Sequence, residues 1–335
     1  MSDRLPYCSV VIPTHNRPAQ LASCLAALAA VDYPRERFEV VVADDGSATC
    51  LEAVVAPFDR QLELTLIRQR RAGPAGARNN GARHARGELL AFTDDDCAPA
   101  PGWLRAFAAQ WSHTPENAMG GHTTNALAAN PYSSASQRLL HYLYDYYNAD
   151  PERARFFAAN NFAIPARGFR EIGGFDERLT RAAAEDRELC DRWLALGKQM
   201  TYVEKARVQH SHRMGLRGFC RQHFNYGRGA HYVHRTRAAL GRGGWQLEPP
   251  RFYFGMAGYA AGGAPPAQAC ALLLLIGLSQ AANAGGFFCE AISRQLRRTA
   301  PAPSRPPPRA TLDELLSDSP ARVEEPAPTA SRQRK

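Results

Sequence analysis

A doubly wound α/β sheet, mixed but mostly parallel and with helices on both faces, is the fold class this sequence predicts. Three observations carry it. Apolar runs of strand length alternate with helix-spaced segments through residues 8–97. Several of those runs stop abruptly in a polar cluster, as expected where ligands bind off the carboxyl ends of parallel strands. Far down the chain, Phe252 to Cys289 contains no charged residue, which predicts a hydrophobic helical addition to the sheet.

The first strand is Cys8-Ser9-Val10-Val11-Ile12, a β-branched run read as a buried parallel strand and stopped by Pro13. The turn Thr14–Pro18 leads into a helix marked by Pro18 and by apolar Leu21, Cys24, Leu25 and Leu28. A second strand, Phe38–Ala43, ends in Asp44-Asp45-Gly46-Ser47, and a helix is expected from Leu51 to Pro57. Leu62–Ile67 alternates as a more exposed third strand. A glycine-rich turn, Arg71–Gly81, runs into the next helix. Leu89–Thr93 then reads as a strand that ends in three consecutive carboxylates, Asp94, Asp95 and Asp96. No strand interior accepts three adjacent acids, whereas a divalent cation at an open strand end neutralises them.

Beyond Trp103 the pattern loosens. Helices are expected over Trp103–Trp111, over Tyr132–Tyr147 with an aromatic face, and over residues 182–196, where Gly197 stops the last. Short strands are expected at Asn160–Pro165 and from Tyr202 toward His210. In Phe252–Cys289, Pro265-Pro266 separates a glycine- and aromatic-rich piece from an Ala/Leu-rich piece of about bilayer-spanning length. Gln280 and Asn283 interrupt that piece, and both of its flanks are basic, so a span, an in-plane helix or hairpin, and a buried helical hairpin all remain open. Residues 299–335, rich in Pro, Ala and charge, are expected to be disordered.

The net charge of +9 is concentrated: Glu204–Arg251 holds ten Lys/Arg against two Glu. Such a patch points to an anionic ligand or an anionic membrane surface. No nucleic-acid module accompanies it, so no nucleic-acid partner is expected. Eight scattered cysteines without a Cys-x-x-Cys pair fit a reducing compartment and argue against a disulfide or zinc framework. Met1–Pro6 lacks the apolar core of a signal peptide, which places the expected catalytic part in the cytosol.

Four motifs occur in a telling order: Val-Val-Ile-Pro-Thr-His-Asn-Arg at 10–17, Asp-Asp-Gly-Ser at 44–47, Asp-Asp-Asp at 94–96, and Glu-Asp at 185–186 after Gly-Gly-Phe-Asp-Glu. Over roughly residues 7–213 the chain resembles the family 2 glycosyltransferases of GT-A fold. The resemblance implies inverting transfer of a sugar from a nucleotide diphosphate sugar, UDP-linked by preference, to a hydroxyl acceptor in a polysaccharide, glycolipid or similar glycoconjugate. It also implies that Pro13, Thr14, Asn16 and Arg17, with Asp44 and Asp45, hold the nucleoside, and that Arg78 approaches the base or diphosphate. Asp95 is implied as a ribose contact, Asp94 as a ribose or metal contact, and Asp96 as a ligand of Mg²⁺ or Mn²⁺. His210 is implied as a further metal ligand, with His212 as the substitute. Asp186 is implied as the general base, with Glu185 beside it orienting the acceptor or raising the basicity of Asp186.

Processive members of that family carry Gln-x-x-Arg-Trp before their membrane helices, whereas Gln222 is followed here by Asn225-Tyr226. That departure favours the addition of one or a few sugars. The expected organisation is a transferase domain over 1–215 (nucleotide half 1–100, acceptor half 101–215), a basic connection over 216–251, hydrophobic helices over 252–298, and the tail. The expected site of action is the cytoplasmic side of a membrane, or the cytoplasm itself if the hydrophobic segment is buried. Two other functions fit the sequence less well. A nucleotide-sugar-forming nucleotidyltransferase calls for a glycine-rich loop with a lysine after the first strand, where this chain has Pro13-Thr14-His15-Asn16. A non-catalytic sugar-nucleotide binding protein has no need of Asp94, Asp96, Glu185 and Asp186 together.

Overall fold

The computed structural model describes residues 5–179, 183–239 and 248–299. The chain opens with β1 (Cys8–Thr14) and α1 (Pro18–Ala29), whose Leu21, Cys24, Leu25 and Leu28 are all buried. Next come β2 (Phe38–Asp44), α2 (Glu52–Val55), β3 (Leu64–Arg68), α3 (Gly73–His84) and β4 (Leu89–Thr93). The second half holds β5 (Cys97–Pro99), α4 (Trp103–His113), β6 (Ala118–Asn125), α5 (Pro131–Tyr147), β7 (Asn161–Pro165) and α6 (Ala166–Glu171). It continues with α7 (Glu185–Ala195), β8 (Met200–His210), α8 (Leu216–Ala239), α9 (Pro250–Ala261) and α10 (Pro266–Thr299).

The strands form one eight-stranded sheet in the order β3-β2-β1-β4-β7-β6-β8-β5. The first four are parallel neighbours, β7 is antiparallel to β4 and β6, β6 and β8 are parallel, and β5 is antiparallel to β8. Alternation along β1 sends Val10 and Ile12 into one apolar cluster with α1 and α4, and Val11 into another with Phe92, Phe162, Phe169 and Phe175. Both faces of the sheet are thus covered, which explains why its central strands read as continuous apolar runs. Each fully buried side chain of the size of Ile12 or Phe92 contributes about 1.5–3 kcal/mol on transfer from water.

Several expectations shift. The third strand begins at Leu64, two residues later than its alternation indicated, and keeps the half-exposed pattern of an edge. β5 and β6 were not foreseen. β5 is a three-residue strand containing Pro99, and β6 is polar at His122, Thr123, Thr124 and Asn125, so neither gives a periodic apolar signal. The segment 216–251, expected as a connection, carries the 24-residue helix α8. Its basic residues hid the fact that Phe219, His223 and Val233 are buried along one side.

Glycines allow α8 and α10 to touch backbone to backbone. A Cβ on Gly227 would lie 1.8 Å from the Asn283 carbonyl oxygen, and one on Gly286 would lie 1.9 Å from that of Phe224. Arg228 adds an ion pair to Glu290 of α10 at 2.6 Å. α9 packs on α5 through Tyr142, Tyr146 and Phe252. Among the described residues, one helical stretch, Pro266–Leu296, is long and apolar enough to cross a membrane; only 22% of its most apolar window is buried. The main compact unit ends at Ser293, and from Arg294 only the end of α10 is described. The expected disordered tail lies outside the described residues.

Candidate active site

A cleft of about 2120 Å³ opens at the carboxyl ends of the parallel strands. Pro13, Thr14, Arg17, Asp45, Arg78, Asp94, Asp95, Asp96, Glu185, Asp186 and His210 all line it. Of the expected donor, metal and acceptor residues, Asn16 and Asp44 do not line it: Asn16 is exposed and Asp44 is buried. Asn16 adopts a left-handed φ of 56° and joins two loops: its amide donates to Ser47 Oγ, and its Oδ1 accepts from Ala48 N, each at 2.8 Å. Asp44 Oδ1 accepts from Ser47 N at 2.8 Å, closing the turn after β2. Asp45 is also engaged, accepting from Ala72 N at 2.7 Å and from Gly73 N at 2.8 Å at the start of α3. Its carboxylate therefore shapes the entrance of that helix.

The three carboxylates after β4 have three different environments. Asp94 is held by Arg78 Nη2 at 2.6 Å and is the most exposed of them. Asp95 accepts from Thr14 Oγ1 at 2.8 Å and from Arg17 Nη1 at 3.1 Å. Burial is the main reason its pKa rises to about 6, against the pull of Arg17 and Thr14. Asp96 receives Arg17 Nη1 at 2.9 Å, His210 Nε2 at 3.2 Å and His212 Nδ1 at 3.5 Å. Burial alone would raise Asp96, but the bonds from His210 and His212 outweigh it and hold the group well below the ordinary carboxylate range. The same bond pushes His210 upward against the effect of its own burial.

The short strand β5 explains this convergence. Cys97 pairs with His210 across the β5–β8 ladder, and Ser211 N donates to the Asp96 carbonyl at 2.8 Å. One ligand atom from each of Asp96, His210 and His212 lies within 4.8 Å of the others, close enough to share one ion. A carboxylate with two imidazoles fits a divalent transition ion; Mg²⁺, which takes oxygens and water, suits this set less well. Asp94, expected as a second ligand, is bound to Arg78 instead and lies outside this group. His212, two residues past the end of β8, lies inside it.

Arg78 joins the two halves of the cleft. Its Nη1 contacts Glu185 Oε1 at 3.0 Å while Nη2 contacts Asp94, and the guanidinium lies 5.6 Å from the Phe175 ring. Its Nε has no partner among the described residues. Glu185 Oε2 accepts from Ala183 N at 2.8 Å, so both of its oxygens are fixed. Among the described residues Asp186 accepts one short bond, from Arg187 N at 2.7 Å. Burial first, and the adjacent Glu185 charge second, push the Asp186 carboxyl well above the ordinary carboxylate range. A partly buried carboxylate of raised basicity that faces the cleft has the character of a general base.

Ala184, just before α7, has a left-handed φ of 67°, which costs a residue with a Cβ about 1–2 kcal/mol. α8 clamps this turn: a Cβ on Gly229 would lie 2.6 Å from Ala184 Cβ and 2.8 Å from the Ala183 carbonyl oxygen. Sequence reasoning missed Gly229, because its role depends on an element distant in the chain. It also missed Asn160, a buried residue lining the cleft whose Oδ1 has no partner among the described residues. Among the basic residues in Glu204–Arg251, Arg213 and Arg221 line the cleft, and neither is in an ion pair among the described residues.

A GT-A-like sheet with a carboxylate and histidine metal cluster at its strand ends is the class that fold and site define. Residues 9–173, about half of the chain, match the model of glycosyl transferase family 2. Among curated relatives, validoxylamine A glucosyltransferase of Streptomyces hygroscopicus subsp. jinggangensis is 32% identical over 228 residues, covering 60% of this chain and 54% of the relative. Glycosyltransferase AglE of Haloferax volcanii is 34% identical over 125 residues, covering 36% and 41%. The chain thus spans about half the length of these relatives. The mannosyltransferase PcManGT of Pyrobaculum calidifontis, solved with GDP-Man and Mn²⁺, superposes with a TM-score of 0.56 at 20% identity, over 88% of this chain and 81% of that one. TarS 1–349 of S. aureus, solved with UDP-GlcNAc, gives 0.53 at 17% identity, over 86% and 91%. These likenesses show the fold.

Proposed function

We propose that this protein is a metal-dependent, inverting glycosyltransferase that moves a sugar from a nucleotide diphosphate sugar to an acceptor hydroxyl. The observation that carries the reading is the Arg78 bridge, which ties Asp94 of the donor strand end to Glu185, the neighbour of Asp186. Donor and acceptor halves thereby share one buried charge network.

In this reading Asp186 takes the proton from the attacking hydroxyl. A hydroxyl is a poor nucleophile near neutral pH, and a base of raised pKa retains more driving force for that transfer. Glu185, fixed at both oxygens, maintains the repulsion that keeps Asp186 basic. Attack in line with the departing diphosphate inverts the anomeric carbon. Asp96, His210 and His212 would hold Mn²⁺ in preference to Mg²⁺, and the ion would supply charge neutralisation for the leaving nucleotide. Pro13, Thr14 and Asp95 border the nucleoside end, with UDP the preferred carrier, while Arg17, Arg213 and Arg221 face the diphosphate. Asn160 Oδ1 accepts a hydrogen bond from a sugar hydroxyl. The nucleotide donor and the apolar face of α10 together favour work at the cytoplasmic face of a membrane.

The test separates binding from chemistry. Asp186→Asn should keep Mn²⁺-dependent nucleotide binding and lose sugar transfer by about 10²–10⁴-fold, the usual scale of general-base catalysis. Transfer at near the wild-type rate would remove Asp186 as the base. Asp96→Ala should abolish the dependence of nucleotide affinity on Mn²⁺, measured by calorimetry; an unchanged dependence would remove Asp96 as a ligand.

A further inference from the structure

α10 is long and apolar enough to cross a membrane, yet its packing leaves only one of its sides open to hydrocarbon. Leu272, Ile276 and Ser279 are buried, the Asn283 carbonyl and Gly286 meet α8, and Glu290 pairs with Arg228. The residues two positions after each of these, Leu274, Leu278, Ala281, Gly285, Phe288 and Ile292, are all exposed. At 3.6 residues per turn a step of two rotates the helix by about 200°, so the two sets occupy opposite sides. The inner side is covered over about 27 Å, at about 1.5 Å per residue, close to the hydrocarbon thickness of about 30 Å. A spanning α10 would carry α8 into the hydrocarbon with it, including the exposed Arg221 and Arg235. It would also place Gln280 and Asn283, and the cleft they line, inside the bilayer. α9 offers no hinge for swinging clear, because α5 holds both of its ends. Tyr142 Oη donates to the Phe252 carbonyl at 2.6 Å, and Arg138 Nη1 donates to the Gly262 carbonyl at 2.9 Å.

We propose that the protein is monotopic: α10 lies in the plane of one leaflet of an anionic bilayer, with its outward stripe in the acyl boundary, and does not span. This attachment rests on the proposed membrane location and defines which surface meets the lipid. Three observations select a lipid surface over a second copy of the chain. The stripe holds aliphatic side chains, one aromatic ring, Ala and Gly, and no side chain that forms hydrogen bonds, whereas subunit interfaces carry a polar rim. All of it except Ile292 lies in Phe252–Cys289, a segment without a charged residue, and Leu274 is 76% exposed. Arginines border that segment, Arg251 directly before it and Arg294, Arg297 and Arg298 after it, as suits anionic headgroups. An amphipathic helix in this position sinks about 5–10 Å into the headgroup boundary. Its inner side, with Gln280 and Asn283, then keeps the cleft in water.

The test uses the full chain with vesicles of phosphatidylglycerol and phosphatidylethanolamine, or of phosphatidylcholine alone. The chain should float with the anionic vesicles, and at least tenfold less of it with the neutral ones. Leu274→Glu with Leu278→Glu should reduce flotation at least tenfold while Mn²⁺-dependent nucleotide binding stays unchanged. If that pair loses nucleotide binding through misfolding, Leu274→Ser with Leu278→Ser takes its place under the same criterion. In sealed membrane vesicles of the expressing cells, cytoplasmic face outward, added protease should cut tags at both the N- and C-termini. A tag at one end alone that stays protected until detergent is added shows a span and overturns the in-plane assignment. Equal flotation with neutral vesicles overturns the anionic preference. No flotation, an unaltered stripe variant, or a dimer in light scattering that Leu274→Glu dissociates overturns the lipid assignment. Absence of Mn²⁺-dependent nucleotide binding in the wild-type chain would instead overturn the glycosyltransferase reading and leave the attachment standing.

Discussion

At the scale of single residues, the site is a set of carboxylates whose neighbours assign them different work. Burial first, and Glu185 second, keep Asp186 basic, so in the proposed mechanism its protonation governs the acid side of activity. A general base must be ionised, and activity falls as pH drops through its pKa. The acid limb of kcat/KM should therefore lie well above the ordinary carboxylate value of about 4. Glu185→Gln removes the repelling charge and leaves Arg78 nearer in effect, and both changes lower the Asp186 pKa. The limb should then move to lower pH, read from a rate profile over pH; a limb that stays in place would separate the two groups. Arg78 answers to another measurement. Removing it as Arg78→Leu leaves Glu185 buried and Asp94 largely so without their shared cation, a loss of about 3–5 kcal/mol in chemical denaturation. Arg78→Lys should recover little of this, since one ammonium cannot reach both carboxylates as a fork does.

At the scale of elements, two contacts between distant segments build the site. The β5–β8 ladder brings Asp96 to His210 and His212, and α8 braces the Ala183–Ala184 turn that starts α7. Gly229→Val should displace that turn, because even a Cβ would lie 2.6 Å from Ala184 Cβ. The expected result is a fall in kcat with nucleotide affinity preserved. Gly218→Ala on the same helix meets nothing nearer than 3.6 Å and should behave as wild type. Equal losses in both variants would show that α8 tolerates no change at all, and the specific brace would be refuted.

At the scale of the whole molecule, a catalytic sheet is joined to a hydrophobic helix through α8. Gly227, Gly286 and the Arg228–Glu290 pair fasten α10 to α8, and Gly229 fastens α8 to the start of α7. A chain lacking residues 250–335 should leave the membrane fraction, as judged by sedimentation after carbonate extraction. A full-length chain recovered in the supernatant would remove the membrane assignment.

The sequence by itself determined the parallel strands β1 to β4, the order of the acidic strand ends and the separate position of Glu185-Asp186. Those features are local: β-branched runs, turn residues and adjacent carboxylates declare themselves within a few positions. Only the tertiary structure decided that Arg78 spans Asp94 and Glu185, and that His212 joins His210 at Asp96 while Asp94 does not. It alone decided that Asp45 is engaged by the turn entering α3, and that a basic stretch is a helix packed on the hydrophobic one. Each of these depends on which distant side chain reaches a charge or a glycine first. Such competition is settled by packing, and no short window of sequence contains it.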